Sequence, residues 1–166
     1  MKIVVYESHW GNTAAIAHAI CEGLGPDARA MTTDEAVGPE VAAAELVVAG
    51  APVIGFRLTT DKARQGLLSE HAAPGPADLS HPSMRTWLEH LPPGSGRSAA
   101  FETRIRWSPG GATGTIDQEL QRAGYRPIDA PQRFVVTSKY GPLRDGELER
   151  ARDWGRQLAR AIASDA

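Results

Sequence analysis

Residues 2–24, KIVVYESHWGNTAAIAHAICEGL, decide the reading of this chain. The run Ile3-Val4-Val5 is apolar, β-branched and too short for a helix, as expected of a strand covered on both faces in a parallel sheet. A polar turn follows, Glu7-Ser8-His9-Trp10-Gly11-Asn12-Thr13. Then Ile16, Ala17, Ile20 and Leu24 recur on one helical face, and Gly25-Pro26 closes the helix. A strand, a glycine-and-hydroxyl turn and a helix start together make an anion site. The first turn of a helix leaves backbone N–H groups unpaired and carries a partial positive charge.

The alternation continues outward. Asp27–Met31 is a weak second strand, Pro39–Ala44 a short helix, and Leu46–Gly50 a second buried strand that runs into Ala51-Pro52-Val53-Ile54-Gly55. Thr59 or Thr60 can cap a helix to Leu68, and His71–Pro82 reads as a long loop. Met84, Trp87, Leu88 and Leu91 have helical spacing. Ser98–Phe101 reads as strand four, opening into a loop from Glu102 to Gly111. Thr115–Ala123 is a helix with a Thr115-x-x-Gln118 capping box, and Arg133–Thr137 is strand five. In the last helix Leu148, Ala151, Gly155, Leu158 and Ile162 share a face. Strands alternating with helices predict an α/β doubly wound sheet over residues 1–166, one domain without repeats.

Composition bounds the function. The chain has 166 residues and a formal net charge of −2, so it shows no basic footprint for nucleic acid. No apolar run approaches the roughly 20 residues of a membrane span. Cys21 is the only cysteine, which excludes a disulfide framework and cysteine-rich metal sites. With a strand starting at once, no signal peptide is expected and a cytoplasmic location is the default expectation. The five histidines are scattered, with no ligand spacing, so no metal is expected. There is no Walker A lysine, no GxGxxG and no Gly-x-Ser-x-Gly elbow, which argues against nucleoside triphosphates, dinucleotides and serine hydrolysis.

The turn Ser8-His9-Trp10-Gly11-Asn12-Thr13 resembles the flavodoxin loop (S/T)-x-(S/T)-G-x-T, with Ser8, Gly11 and Thr13 matching and Trp10 in place of the middle hydroxyl. An aromatic there is similar to the flavin domains of flavodiiron proteins. Gly50-Ala51-Pro52 resembles the family's G-(S/A)-P loop, and AFETRI the AFDTR stretch of short bacterial flavodoxin-domain proteins. The resemblance implies a five-stranded parallel sheet of order 2-1-3-4-5 with helices on both faces, of the short-chain type. Its ligand would lie at the switch point between strands one and three, a rule that flavodoxin itself exemplifies. The implied cofactor is FMN. Ser8, His9, Trp10, Gly11, Asn12 and Thr13 would hold its phosphate. Ala51, Pro52, Val53, Ile54 and Gly55 would frame its ring together with Glu102, Thr103, Arg104 and Trp107, the available stacking aromatic. A response regulator shares this fold but needs an aspartate after strand three, where Val48-Ala49-Gly50-Ala51 stands.

Three functions follow from the resemblance. One is an FMN oxidoreductase acting on a quinone-like or porphyrinogen-like acceptor, favoured by the near-neutral charge and the long loop from Arg57 to Pro82. Another is an electron carrier serving a redox partner protein. The third is a cofactor-free binding or regulatory module, because Trp10 can fill the site. Arg57, Arg104 and Arg106 fall in the loops expected around the ligand, either as surface charge or facing it.

Overall fold

The computed structural model describes residues 1–165. Its centre is a parallel sheet. Strand β1 (Lys2–Tyr6) lies between β2 (Ala28–Thr32) and β3 (Leu46–Ile54), and β3 pairs on its other side with β5 (Arg97–Ile105). Two short strands, β6 (Arg126–Pro127) and β7 (Gln132–Val136), both add in parallel to β5. The expected order 2-1-3-4-5 is therefore present, with two refinements. The last strand is broken by a short excursion at residues 128–131, and β3 folds back on itself as a two-residue hairpin with β4 (Arg57–Leu58), antiparallel.

Ile3, Val4 and Val5 are wholly buried, as a strand covered on both faces requires. Alternation then sorts the core. Ile3, Val5, Val47 and Ala49 point to one side, where they meet Met84, Trp87 and Leu88 of α4 (Met84–Glu89) and Ile116 and Leu120 of α5 (Thr113–Arg122). Val4, Leu46, Val48 and Phe101 point to the other, against Ile16 and Ile20 of α1 (Asn12–Leu24) and Trp154 and Leu158 of α6 (Glu147–Asp165). The remaining helices are short: α2 (Pro39–Ala42) and α3 (Asp61–Leu67), the latter capped by the Thr60 hydroxyl.

Helices α1 and α6 touch through glycine. A Cβ on Gly155 would stand 2.3 Å from the Ile20 carbonyl, and one on Gly23 would meet the Arg152 carbonyl even more closely. The face of α6 includes Trp154 and excludes Leu148, which is exposed beyond the end of that contact.

Several boundaries differ from the sequence reading. Strand β3 runs through Pro52 to Ile54, and β5 through Glu102 and Arg104 to Ile105, both read above as loops. Proline is tolerated at Pro52 because β3 has a neighbour on one side only there: β1 ends opposite Gly50 and the hairpin with β4 begins at Val53, which leaves β5 alone beside Pro52. Helix α5 starts at Thr113, so Thr115 lies inside it and makes no capping box; the side chain of Glu102 serves that end instead.

Candidate functional site

The carboxyl ends of β1, β3, β5 and β7 converge on a cleft enclosing about 440 Å³ of empty space, open solvent at its mouth included. It lies where chain order reverses between β1 and β3. Its walls come from four segments: Ser8, His9, Trp10, Asn12 and Thr13; Pro52, Val53 and Ile54; Thr103, Arg104 and Ile105; and Val136 with Lys139.

The loop between β1 and α1 is the most built part. Gly11 takes φ of 91°, a left-handed conformation that turns the chain into the helix. Its N–H donates to the Ser8 hydroxyl at 3.2 Å. No side chain caps α1, and among the described residues the N–H groups of Asn12, Thr13 and Ala14 meet no protein acceptor. Three free donors therefore stand at the positive end of a 13-residue helix, and two of them, on Asn12 and Thr13, belong to residues that line the cleft. The Thr13 hydroxyl is buried and shares a 2.8 Å hydrogen bond with the Thr103 hydroxyl, tying α1 to β5. Asn12 donates from its amide to the Tyr140 carbonyl at 3.0 Å.

Trp10 does not fill the cleft. Its indole N–H donates to the Gly75 carbonyl at 3.2 Å, and its ring stands edge-on to Tyr140 with centroids 4.7 Å apart. The indole thus forms a wall between the long loop and the segment after β7. That segment is fastened in turn by Glu70, which takes hydrogen bonds from Lys139 and Tyr140. The Glu70 carboxylate raises the Tyr140 phenol above its ordinary pKa, and Lys139 holds that carboxylate below its own.

Beneath the loop lies a buried charged cluster. Glu7 is 0 % exposed; its carboxylate sits 3.0 Å from Arg64 Nε and 3.4 Å from His9 Nε2. Arg64 also donates to the His81 carbonyl at 2.6 Å, and His81 Nε2 accepts the Ser8 N–H at 3.4 Å. Burial holds the His81 ring below its ordinary pKa, against the opposing pull of Asp78. The long loop from Arg57 to Pro82 thereby braces the anion loop from behind; the Asp78 N–H adds a 2.8 Å bond to the His9 carbonyl.

Not every expected residue reaches the cleft. Ala51 is buried in β3, and Gly55 lies in the hairpin turn. Glu102 points to the opposite side of β5 from Thr103. Its Oε1 accepts from the N–H groups of Ala112 and Thr113 and from the Thr113 hydroxyl, and its Oε2 pairs with Arg104 Nη1 at 2.9 Å. Trp107 stands 81 % exposed with Arg106 over its ring, outside the cleft wall. Arg104 does line the cleft, but its charge is matched by Glu102 and its Nη1 also reaches the Gly110 carbonyl.

Val136 and Lys139 escaped the sequence reading as site residues; their position at and just beyond the carboxyl end of the last strand was the available signal. The Glu7–Arg64 pair spans too much sequence to leave one. Among the described residues no group of side chains is arranged to hold a metal ion, and no helix is long and apolar enough to cross a membrane.

No family model and no curated protein matches the chain by sequence. Solved structures match it along its length. An archaeal flavodoxin superposes with a TM-score of 0.69 at 23 % identity, covering 98 % of this chain and 99 % of that one. A WrbA-like flavodoxin from Agrobacterium tumefaciens gives 0.59 at 17 % identity, covering 98 % and 97 %. Rubredoxin oxygen:oxidoreductase from Desulfovibrio gigas gives 0.64 at 17 % identity; the match takes 98 % of this chain but 36 % of that protein. The sheet order and the helices on both faces agree with these neighbours, and the chain has the flavodoxin-like fold.

Proposed function

We propose that this chain binds FMN in the cleft and exchanges electrons through it with a redox partner protein or a small quinone-like acceptor. One observation carries the reading: the start of α1, with three unpaired backbone N–H groups, borders a cleft at the sheet's switch point. Those donors suit a phosphate. The Ser8 oxygen is taken by the Gly11 N–H, which leaves its hydroxyl hydrogen for the same anion. Thr13 fixes the helix start through the bond its hydroxyl shares with Thr103. FMN bound there supplies one- and two-electron chemistry. Pro52–Ile54 and Thr103–Ile105 would frame its ring, and Arg104 places a fixed, partly neutralised cation at the end of β5. The cofactor-free alternative loses its motive, because the Trp10 side chain is held at the wall.

Titration with FMN and riboflavin tests the reading. FMN is expected to bind at least tenfold more tightly, about 1.4 kcal/mol, since riboflavin leaves the N–H groups without an anion. Equal affinities, or no binding of either, would overturn it. Turnover then separates the two acceptors: quinone reduction by NADPH with this protein and FMN alone marks an oxidoreductase, whereas dependence on an added reductase marks a carrier.

A further inference from the structure

The rim of the cleft carries features that cofactor binding does not use. Of the seven large apolar side chains exposed among the described residues, three lie together there: Phe56 at 61 %, Ile105 at 38 % and Trp107 at 81 %. Phe56 occupies the second central position of the β3–β4 hairpin with φ of 66°, after Gly55 at 61°. A two-residue turn of this kind favours Asn and Gly, and a bulky residue there is strained. The Phe56 carbonyl accepts the Gly111 N–H at 3.1 Å, which locks the hairpin to the loop that bears Trp107. A strained aromatic facing water on one braced loop, beside an indole facing water on the other, is a feature that folding alone would remove.

The charge of this rim is one-sided. Arg57 and Arg106 are exposed, their side chains form no ion pair or hydrogen bond among the described residues, and Arg106 stacks on Trp107 at 4.9 Å. No aspartate or glutamate occurs at residues 51–60 or 103–116. Exposed tryptophan, phenylalanine and arginine around a small apolar centre are what protein interfaces concentrate. A membrane surface would call for a larger basic cluster of roughly four to eight residues.

We infer that the Phe56–Trp107 rim, with Arg57 and Arg106, is the docking surface for a small redox protein with an acidic face. The occupant would cover the mouth of the cleft, because Ile54 and Ile105 belong to both the cleft wall and the strands that lead into the rim. That the occupant is a redox protein rests on the FMN reading; the apolar and basic character of the contact does not.

The test measures binding with and without FMN, using an acidic two-iron ferredoxin and basic cytochrome c as probes. The FMN-free chain should bind the ferredoxin at low ionic strength, with affinity falling at least tenfold between 50 and 300 mM salt, and should not bind cytochrome c. The double variant Arg57→Glu, Arg106→Glu should lose the ferredoxin at least tenfold. Phe56→Asn should weaken it while raising the melting temperature, a pairing that a merely structural residue would not give. No ferredoxin binding at low salt, an unchanged double variant, preference for phosphatidylserine vesicles, or self-association through this face would each overturn the inference. Failure to bind FMN while the ferredoxin still docks would count against the cofactor reading alone.

Discussion

At the scale of single residues, the cleft separates groups that would touch an anion from groups that hold the loop still. Thr13 serves the second role through the hydrogen bond that its hydroxyl shares with the Thr103 hydroxyl. Thr13→Ala should cost about 1 kcal/mol of fold stability, the worth of one hydrogen bond, and should weaken FMN through a looser helix start. A variant that loses FMN affinity with no loss of stability would place the hydroxyl on the ligand instead. His81 acts on the same loop from behind, as the acceptor of the Ser8 N–H, and only a ring with Nε2 unprotonated can accept. Its folded pKa lies below the unfolded value of about 6.5 because burial disfavours the charged ring. The unfolded chain therefore takes up the proton first, so this contribution is complete above about pH 6.5 and is lost as pH falls through the folded pKa. His81→Gln keeps an acceptor without a titrating proton. A melting temperature that falls between pH 6.5 and 5 in wild type, and less steeply in that variant, is the expected result; identical slopes would remove His81 from the account.

At the scale of elements, the sequence declared what its periodicity encodes and hid what its ion pairs encode. The strand–turn–helix of residues 2–24 was legible because each position in it follows local rules of burial, turn and cap. The full length of β5 was not. Glu102 and Arg104 read as loop residues because isolated charges rarely sit inside a sheet. They are buried because they neutralise each other and because the free end of α5 needs an acceptor, which Glu102 supplies. The same compensation explains why the capping box at Thr115 is idle. Neither fact is local, so no window of sequence contains it. Glu102→Gln would leave Arg104 without its counter-charge and weaken the start of α5, at a cost of about 3 kcal/mol, the scale of breaking a buried pair. Denaturant unfolding would read this as a lower midpoint at unchanged slope, and a change under about 0.5 kcal/mol, the size of an ordinary surface effect, would sink the assignment. The Glu147 carboxylate fastens β7 to α6 in a comparable way, through the Val135 N–H and two arginines.

At the scale of the whole molecule, the two ends of the sheet do different work. Behind the sheet, α1 and α6 meet closely at Gly23 and Gly155, with Trp154 sealing the layer. At the carboxyl end, four loops meet around open space and are joined by single hydrogen bonds, such as Asn12 to Tyr140 and Trp10 to Gly75. Segments with few buried apolar contacts open most easily, so the loops should exchange their amide hydrogens well before the α1–α6 layer does. A ligand that binds only the folded chain adds stability by mass action, about 2.7 kcal/mol at a hundredfold excess over its Kd, or a rise in Tm of roughly 5–10 °C for a chain of this size. For FMN the added protection should fall on residues 8–14, 52–56, 103–111 and 137–141, because these hold the unpaired donors, the cleft walls and the fastenings between them. Riboflavin should protect the last three segments and leave residues 8–14 nearly as exchangeable as before, since the first turn of α1 still lacks an anion. Protection by riboflavin equal to that by FMN across residues 8–14 would mean that the ring, not the phosphate, orders that loop. In that case the free N–H groups of α1 would not be what recognises the cofactor.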